Sequence, residues 1–97
     1  MTTPYFLSAF AEQDIDELIV YLATENPKAA DDLIEALYAS FNKLADNPMI
    51  GHLRDDLTKR PVRFWTFKWH YMIIYNPKKP IEILRVVSGY RDIANTL

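Results

Sequence analysis

Four cations have the type and placement for chemistry on phosphate: Arg63, Lys68, Arg85 and Arg91. Metal-free cleavage of RNA needs a base, an acid, and positive charge where negative charge builds in the transition state. For the acid or base, His52 and His70 are the first candidates by residue type. Each lies beside a predicted turn, where a solvated histidine is the commoner outcome. Tyr90 follows Gly89 in a turn, whereas Tyr5, Tyr21, Tyr38, Tyr71 and Tyr75 stand at core or strand positions and read as packing. Arg63 and Arg85 lie in alternating strands and could project onto an open sheet face. Arg85 interrupts an apolar strand, so it needs a partner wherever it lies, and an ion pair with Glu82 or Asp92 is the plain structural alternative. Arg91 beside Asp92 could equally fix a turn. Trp65, Phe67 and Trp69 form an aromatic strip beside Arg63 and Lys68. Such a strip can stack on bases or dock a protein segment, with at least one tryptophan expected in the core. No glycine-rich phosphate loop and no Ser-His-Asp set can be assembled, so residue types alone do not compel an enzyme.

Composition narrows the classes further. Ninety-seven residues make one domain, 1–97. There is no cysteine, which removes disulfides and thiolate metal sites. The two histidines are far apart and no helix carries them at i, i+4, so neither a metal nor another cofactor is expected. No apolar run approaches the length of a membrane span. Met1-Thr2-Thr3-Pro4 lacks the basic start and apolar core of a signal peptide, so a cytoplasmic domain is expected. Residues 1–50 hold nine acids and two lysines (−7), and residues 51–97 hold nine basic residues and four acids (+5). The chain joins an acidic half to a basic half, and its pI of about 5.6 argues against simple electrostatic binding of nucleic acid.

The elements that must hold these residues follow from periodicity. Tyr5-Phe6-Leu7 reads as a short strand and Ser8 as a helix N-cap. Ala11, Ile15, Leu18 and Leu22 make one helical face, ending near Thr24-Glu25-Asn26. Asn26-Pro27 caps and restarts a second helix with the stripe Ala30, Leu33, Ile34, Leu37, Phe41 and Leu44, closed by Asn47-Pro48. Two helices with almost no linker fold back as a hairpin. His52 to Pro61, carrying Arg54, Asp55, Asp56, Lys59 and Arg60, reads as an exposed loop. From Val62 the period changes to two. Val62, Phe64 and Thr66 face one way, Arg63, Trp65 and Phe67 the other; strands follow over Tyr71–Asn76 and Ile81–Ser88, with a hairpin turn at Pro77-Lys78-Lys79-Pro80. The expected fold is α+β, a β-α-α-β-β-β two-layer domain with the helix hairpin on a mainly antiparallel sheet.

These pieces, in order and with these gaps, resemble the RelE/ParE toxin superfamily on its ParE side. The resemblance is carried by Ala11, Asp14, Ile15 and Tyr21; by Asn26-Pro27 with Ala29-Ala30; and by Asn47-Pro48-Met49-Ile50-Gly51 followed by Arg54. It continues through Arg63-Phe64, Tyr71-x-Ile73-x-Tyr75, Ile83-Leu84-Arg85-Val86 and Gly89-x-Arg91-Asp92. It implies a RelE/ParE-like fold and a toxin of a type II toxin–antitoxin (plasmid stabilisation) system. The partner it implies is a ParD-like antitoxin that folds on binding, in a heterotetramer or larger assembly. ParE-like members poison DNA gyrase, whereas RelE-like members cleave messenger RNA in the ribosome. In the nucleases a catalytic tyrosine follows the arginine matching Arg91. Here Ile93-Ala94-Asn95-Thr96-Leu97 holds no Tyr, His, Lys or Arg, which favours the non-enzymatic reading. Expected target-binding residues are Arg63, Lys68, Arg85, Tyr90 and Arg91. Expected antitoxin-binding residues are Tyr21, Tyr38, Trp65 and Trp69. A ribosome-dependent nuclease would instead use Arg63, Arg85, Tyr90 and Arg91.

Overall fold

The computed structural model describes residues 4–68 and 70–88. Its elements are β1 (Tyr5–Leu7), α1 (Ala9–Glu25), α2 (Pro27–Asp46), β2 (Arg63–Phe67), β3 (Tyr71–Asn76) and β4 (Ile81–Ser88). The helix boundaries are set by caps. The Ser8 hydroxyl accepts from the Ala11 amide at 3.0 Å and donates to the Leu84 carbonyl at 2.8 Å, so one side chain starts α1 and ties it to β4. Asn26 serves both helices. Its amide donates to the Leu22 carbonyl at 2.6 Å, closing α1, and its side-chain oxygen accepts from the Ala29 amide at 3.2 Å, opening α2 ahead of Pro27.

The four strands lie in the order β1-β4-β3-β2. β2, β3 and β4 form the antiparallel meander, and β1 runs parallel to β4 at the edge, which makes the sheet mixed. One face carries the helices. Leu33, Leu37, Phe41 and Leu44 of α2 and Ala11 and Ile15 of α1 pack against Phe67, Tyr71, Ile73, Tyr75, Ile81, Ile83 and Val86. α2 buries its stripe as expected, though Ile34 is only half-buried. Each fully buried Leu or Phe contributes on the order of 2 kcal/mol, so this layer carries most of the stability.

The opposite sheet face is not open. Val62, Phe64, Met72, Ile74 and Val87 form a second buried cluster, with Leu57 and Leu84 packed on it. The segment after Gly51 is therefore more than an exposed loop. His52 pairs with Phe64 through two backbone hydrogen bonds of 2.9 and 2.8 Å, and turns on the Arg54 carbonyl bring Leu57 over the sheet. Its charged residues stay outside, with Arg54 bidentate on Asp56. The apolar residues facing away from the helices, Val62 and Phe64, required such a cover.

Candidate functional site

Arg63 and Arg85, the two strand arginines, both lie in strands as expected, but neither stands on an open face. The Arg63 Nη1 donates to the Gly51 carbonyl at 2.6 Å and the Met49 carbonyl at 3.2 Å. The Tyr75 hydroxyl donates to the Pro48 carbonyl at 2.6 Å and accepts from the Gly51 amide at 2.9 Å. Residues 48–51 are thus held onto the sheet by one guanidinium and one phenol. Burial pushes the Tyr75 phenol up, opposed by the Gly51 amide and the Arg63 charge. Gly51 is obligatory for this contact, because a Cβ there would lie 2.5 Å from the phenol oxygen.

The partner of Arg85 is Asp14 of α1, not Glu82, which pairs with Lys78 at 3.9 Å. The guanidinium donates to both carboxylate oxygens, Nε to Oδ2 at 2.7 Å and Nη2 to Oδ1 at 2.9 Å. Oδ2 also accepts from the Val86 amide at 3.0 Å. Asp14 is buried at 6% exposure, and its hydrogen bond holds the Arg85 guanidinium above the usual arginine range. The geometry has a simple cause. β1 pairs only with Ile81–Ile83 of β4, and a register shift in the β3–β4 pairing skips Leu84. Past that point no strand among the described residues lies beside that edge of β4; the Ser8 hydroxyl supplies a donor to the Leu84 carbonyl and the Asp14 carboxylate an acceptor for the Val86 amide. The Arg85 guanidinium also lies 5.4 Å from the Phe10 ring.

The aromatic strip divides. Phe67 is core, and Trp65 is half-buried on the helix side with the Lys43 ammonium 5.1 Å from its ring. Lys68 turns the chain out of β2 with φ of 28°, and the His70 ring stacks on Tyr71 at 4.8 Å. His52 is exposed and is held by its backbone. Trp69, Tyr90 and Arg91 lie outside the described residues, as does Asp92. Among the described residues no cluster of His, Cys, Asp and Glu could hold a metal, and no helix is long and apolar enough to cross a membrane.

Exposed apolar side chains occur in β1 (Phe6), after α2 (Met49 and Leu53) and, as a group of three, on α1. Phe10, Val20 and Tyr21 are each more than 60% exposed, and Tyr38 of α2 is 41% exposed. Tyr38 packs edge-on against Phe41, whose ring centroid also lies 5.1 Å from that of Tyr5. A groove of about 260 Å³ lined by Leu7, Glu12, Ile15, Asp16 and Tyr38 flanks one side of α1. Another of about 440 Å³, lined by Asp16, Glu17, Val20 and Tyr21, flanks the other. Asp16 borders both, so the two expected tyrosines bracket one ridge. Asp14, Phe10 and Val20 were not among the expected site residues. In the sequence Asp14 is only one of the residues that carry the family resemblance, and the edge of β4 beyond β1 gives it its role.

The sequence model of the family described as "ParE toxin of type II toxin-antitoxin system, parDE" matches residues 5–93. Among solved structures, a chain of one described as "Chromosomal ParDE TA system from P. aeruginosa" superposes with a TM-score of 0.70 at 20% identity. That match covers 87% of this chain and 92% of the other. No curated protein matches.

Proposed function

Starting from the fact that this chain belongs to the family of ParE toxins of type II toxin–antitoxin systems, we propose that it is a non-enzymatic poison of DNA gyrase, neutralised by direct binding of a ParD-like antitoxin. The observation that carries the choice against RNA cleavage is the engagement of the strand arginines. A nuclease built on Arg63, Arg85 and Arg91 would need them facing phosphate. Arg63 is tied to main-chain carbonyls and Arg85 to Asp14. The absence of Tyr, His, Lys and Arg from residues 93–97 supports the same reading. Lys68, Tyr90 and Arg91 remain the residues for target contact, and the ridge of α1 between Tyr21 and Tyr38 is the surface for the antitoxin. The toxin acts in the cytoplasm, where gyrase and DNA are.

The test is induced expression in a bacterial host, with and without the neighbouring open reading frame, following DNA and protein synthesis separately. DNA synthesis is expected to fail first, with cleaved DNA trapped on gyrase and rescue by the neighbour. Early failure of protein synthesis with codon-placed cuts in messenger RNA would replace this reading with the nuclease one.

A further inference from the structure

A third groove lies where β1 stops. It encloses about 310 Å³ between α1 and the far end of β4, and its lining includes Asp14, Glu17, Leu18, Val86, Val87 and Ser88. Glu17 also lines the groove that holds Val20 and Tyr21, so the two join around one carboxylate. The composition of the joint surface is unusual. α1 carries five acids (Glu12, Asp14, Asp16, Glu17 and Glu25) and no Lys, Arg or His. Asp14 is neutralised by Arg85. Glu17 accepts from the uncharged Gln13, whose Nε2 donates to Oε1 at 3.2 Å, and its charge also acts on the Arg85 guanidinium, which Asp14 holds in two hydrogen bonds. Leu18 is only half-buried, and Val20 and Tyr21 are 66% and 63% exposed. The Val86 amide turns to Asp14, and the carbonyl of the same strand residue shares that side, facing the groove.

We propose that this α1–β4 groove is a receptor for a basic, extended segment of the antitoxin, with a Lys or Arg seated on Glu17. Flanking apolar side chains of that segment lie on Leu18, Val20 and Tyr21, and one of its main-chain amides donates to the Val86 carbonyl. The inference rests on the toxin–antitoxin reading and deepens it by giving the chemistry of the bound segment. Charge selects the occupant: a helix with carboxylates and no cation repels an acidic segment and attracts a basic one. The Arg85–Asp14 pair has a defined part, since it holds α1 against β4 and so sets the groove's width.

The experiment uses the full toxin and the full antitoxin encoded beside it. Affinity is measured for wild type, Glu17→Gln and Glu17→Lys at low and high salt. Glu17→Lys is expected to weaken binding about tenfold or more, Glu17→Gln less, and salt to weaken wild type more than Glu17→Gln. Reversal of one antitoxin Lys or Arg to Glu restores binding to Glu17→Lys. A photocrosslinker in place of Tyr21 is expected to capture that same antitoxin segment. Wild-type binding that Glu17→Lys leaves unchanged would overturn the groove assignment alone. So would capture of a second toxin copy, or of the toxin's own C-terminal residues, in place of the antitoxin. No binding of the antitoxin to wild type would overturn the groove and the toxin–antitoxin reading together.

Discussion

Arg85 and Asp14 stand 71 residues apart in sequence and meet through two charge-assisted hydrogen bonds. Asp14 is almost wholly enclosed and Arg85 about four-fifths so. Removing one member therefore leaves the other charged and poorly solvated. Asp14→Ala is expected to destabilise the fold by about 3 kcal/mol. The double variant Asp14→Ala with Arg85→Leu should lose less than the sum of the two single changes, as read by urea denaturation of all four proteins. Tyr75 makes a pH-dependent contribution of known sign. Its phenol is pushed above its ordinary 10.0 by burial, as are those of Tyr5 and Tyr71. A raised folded-state value means that the contribution is present below pH 10 and is lost as pH rises through the raised value. Alkaline titration followed by circular dichroism should show Tyr75→Phe losing less stability above pH 10 than wild type does. At neutral pH the same variant should be less stable by about 1–3 kcal/mol, because the Pro48 carbonyl and Gly51 amide lose their partner.

At the scale of elements, β1 is three residues long and β4 eight, and much of the molecule's character comes from that mismatch. The short edge strand leaves β4 partly uncovered, and the chain turns into α1 at that point. Ser8 is the joint. Its hydroxyl caps α1 and donates to β4, and its amide donates to the Ile83 carbonyl at 2.9 Å. Ser8→Ala removes the first two bonds and keeps the third. It should cost about 1–2 kcal/mol, and Ser8→Thr should recover most of the loss, which thermal denaturation can check. α2 differs from α1 in its energetics. It buries a continuous stripe of Leu33, Leu37, Phe41 and Leu44, whereas α1 fully buries only Ala11, Asp14 and Ile15. α2 thus holds the fold and α1 holds its outer ridge exposed, the division expected of a helix that docks a partner.

At the scale of the whole molecule, the acidic half supplies the helix layer and the basic half most of the sheet. The charge of the chain is thus divided between its layers, and the proposed antitoxin groove draws on the acidic one. Mutations of the basic half should separate by whether the side chain is tied to the chain itself. Arg63→Ala and Arg85→Ala should reduce toxicity in proportion to their loss of folded protein, because both side chains are tied to the chain itself. Lys68→Ala and Arg91→Ala, at the residues proposed for target contact, should reduce toxicity by more than any loss of folded protein. Growth curves paired with soluble yield and melting temperature for the four variants make the comparison. Loss of toxicity by Arg63→Ala at full yield and stability would return that arginine to the target surface.

The sequence by itself determined the order β-α-α-β-β-β, the caps at Ser8 and Asn26, the buried stripe of α2 and the alternation of β2. These depend on neighbours within a few residues: a hydroxyl three positions before an amide, apolar side chains at i and i+4, a strand that shows alternate faces. Family membership was legible too, because it rests on many weak residue choices in one order. Only the tertiary structure decided the partners of the arginines. Asp14 read as one residue of the first-helix pattern, and Arg85 as an ion whose partner would be Glu82 or Asp92. Their pairing requires that β1 end early and that α1 cross the edge of β4 beyond it, conditions set across a sequence separation of 71. The second apolar cluster was hidden for the same reason. Leu57 covers Val62, Phe64 and Met72 through the backbone pairing of His52 with Phe64, and no periodicity marks a contact made by an irregular segment.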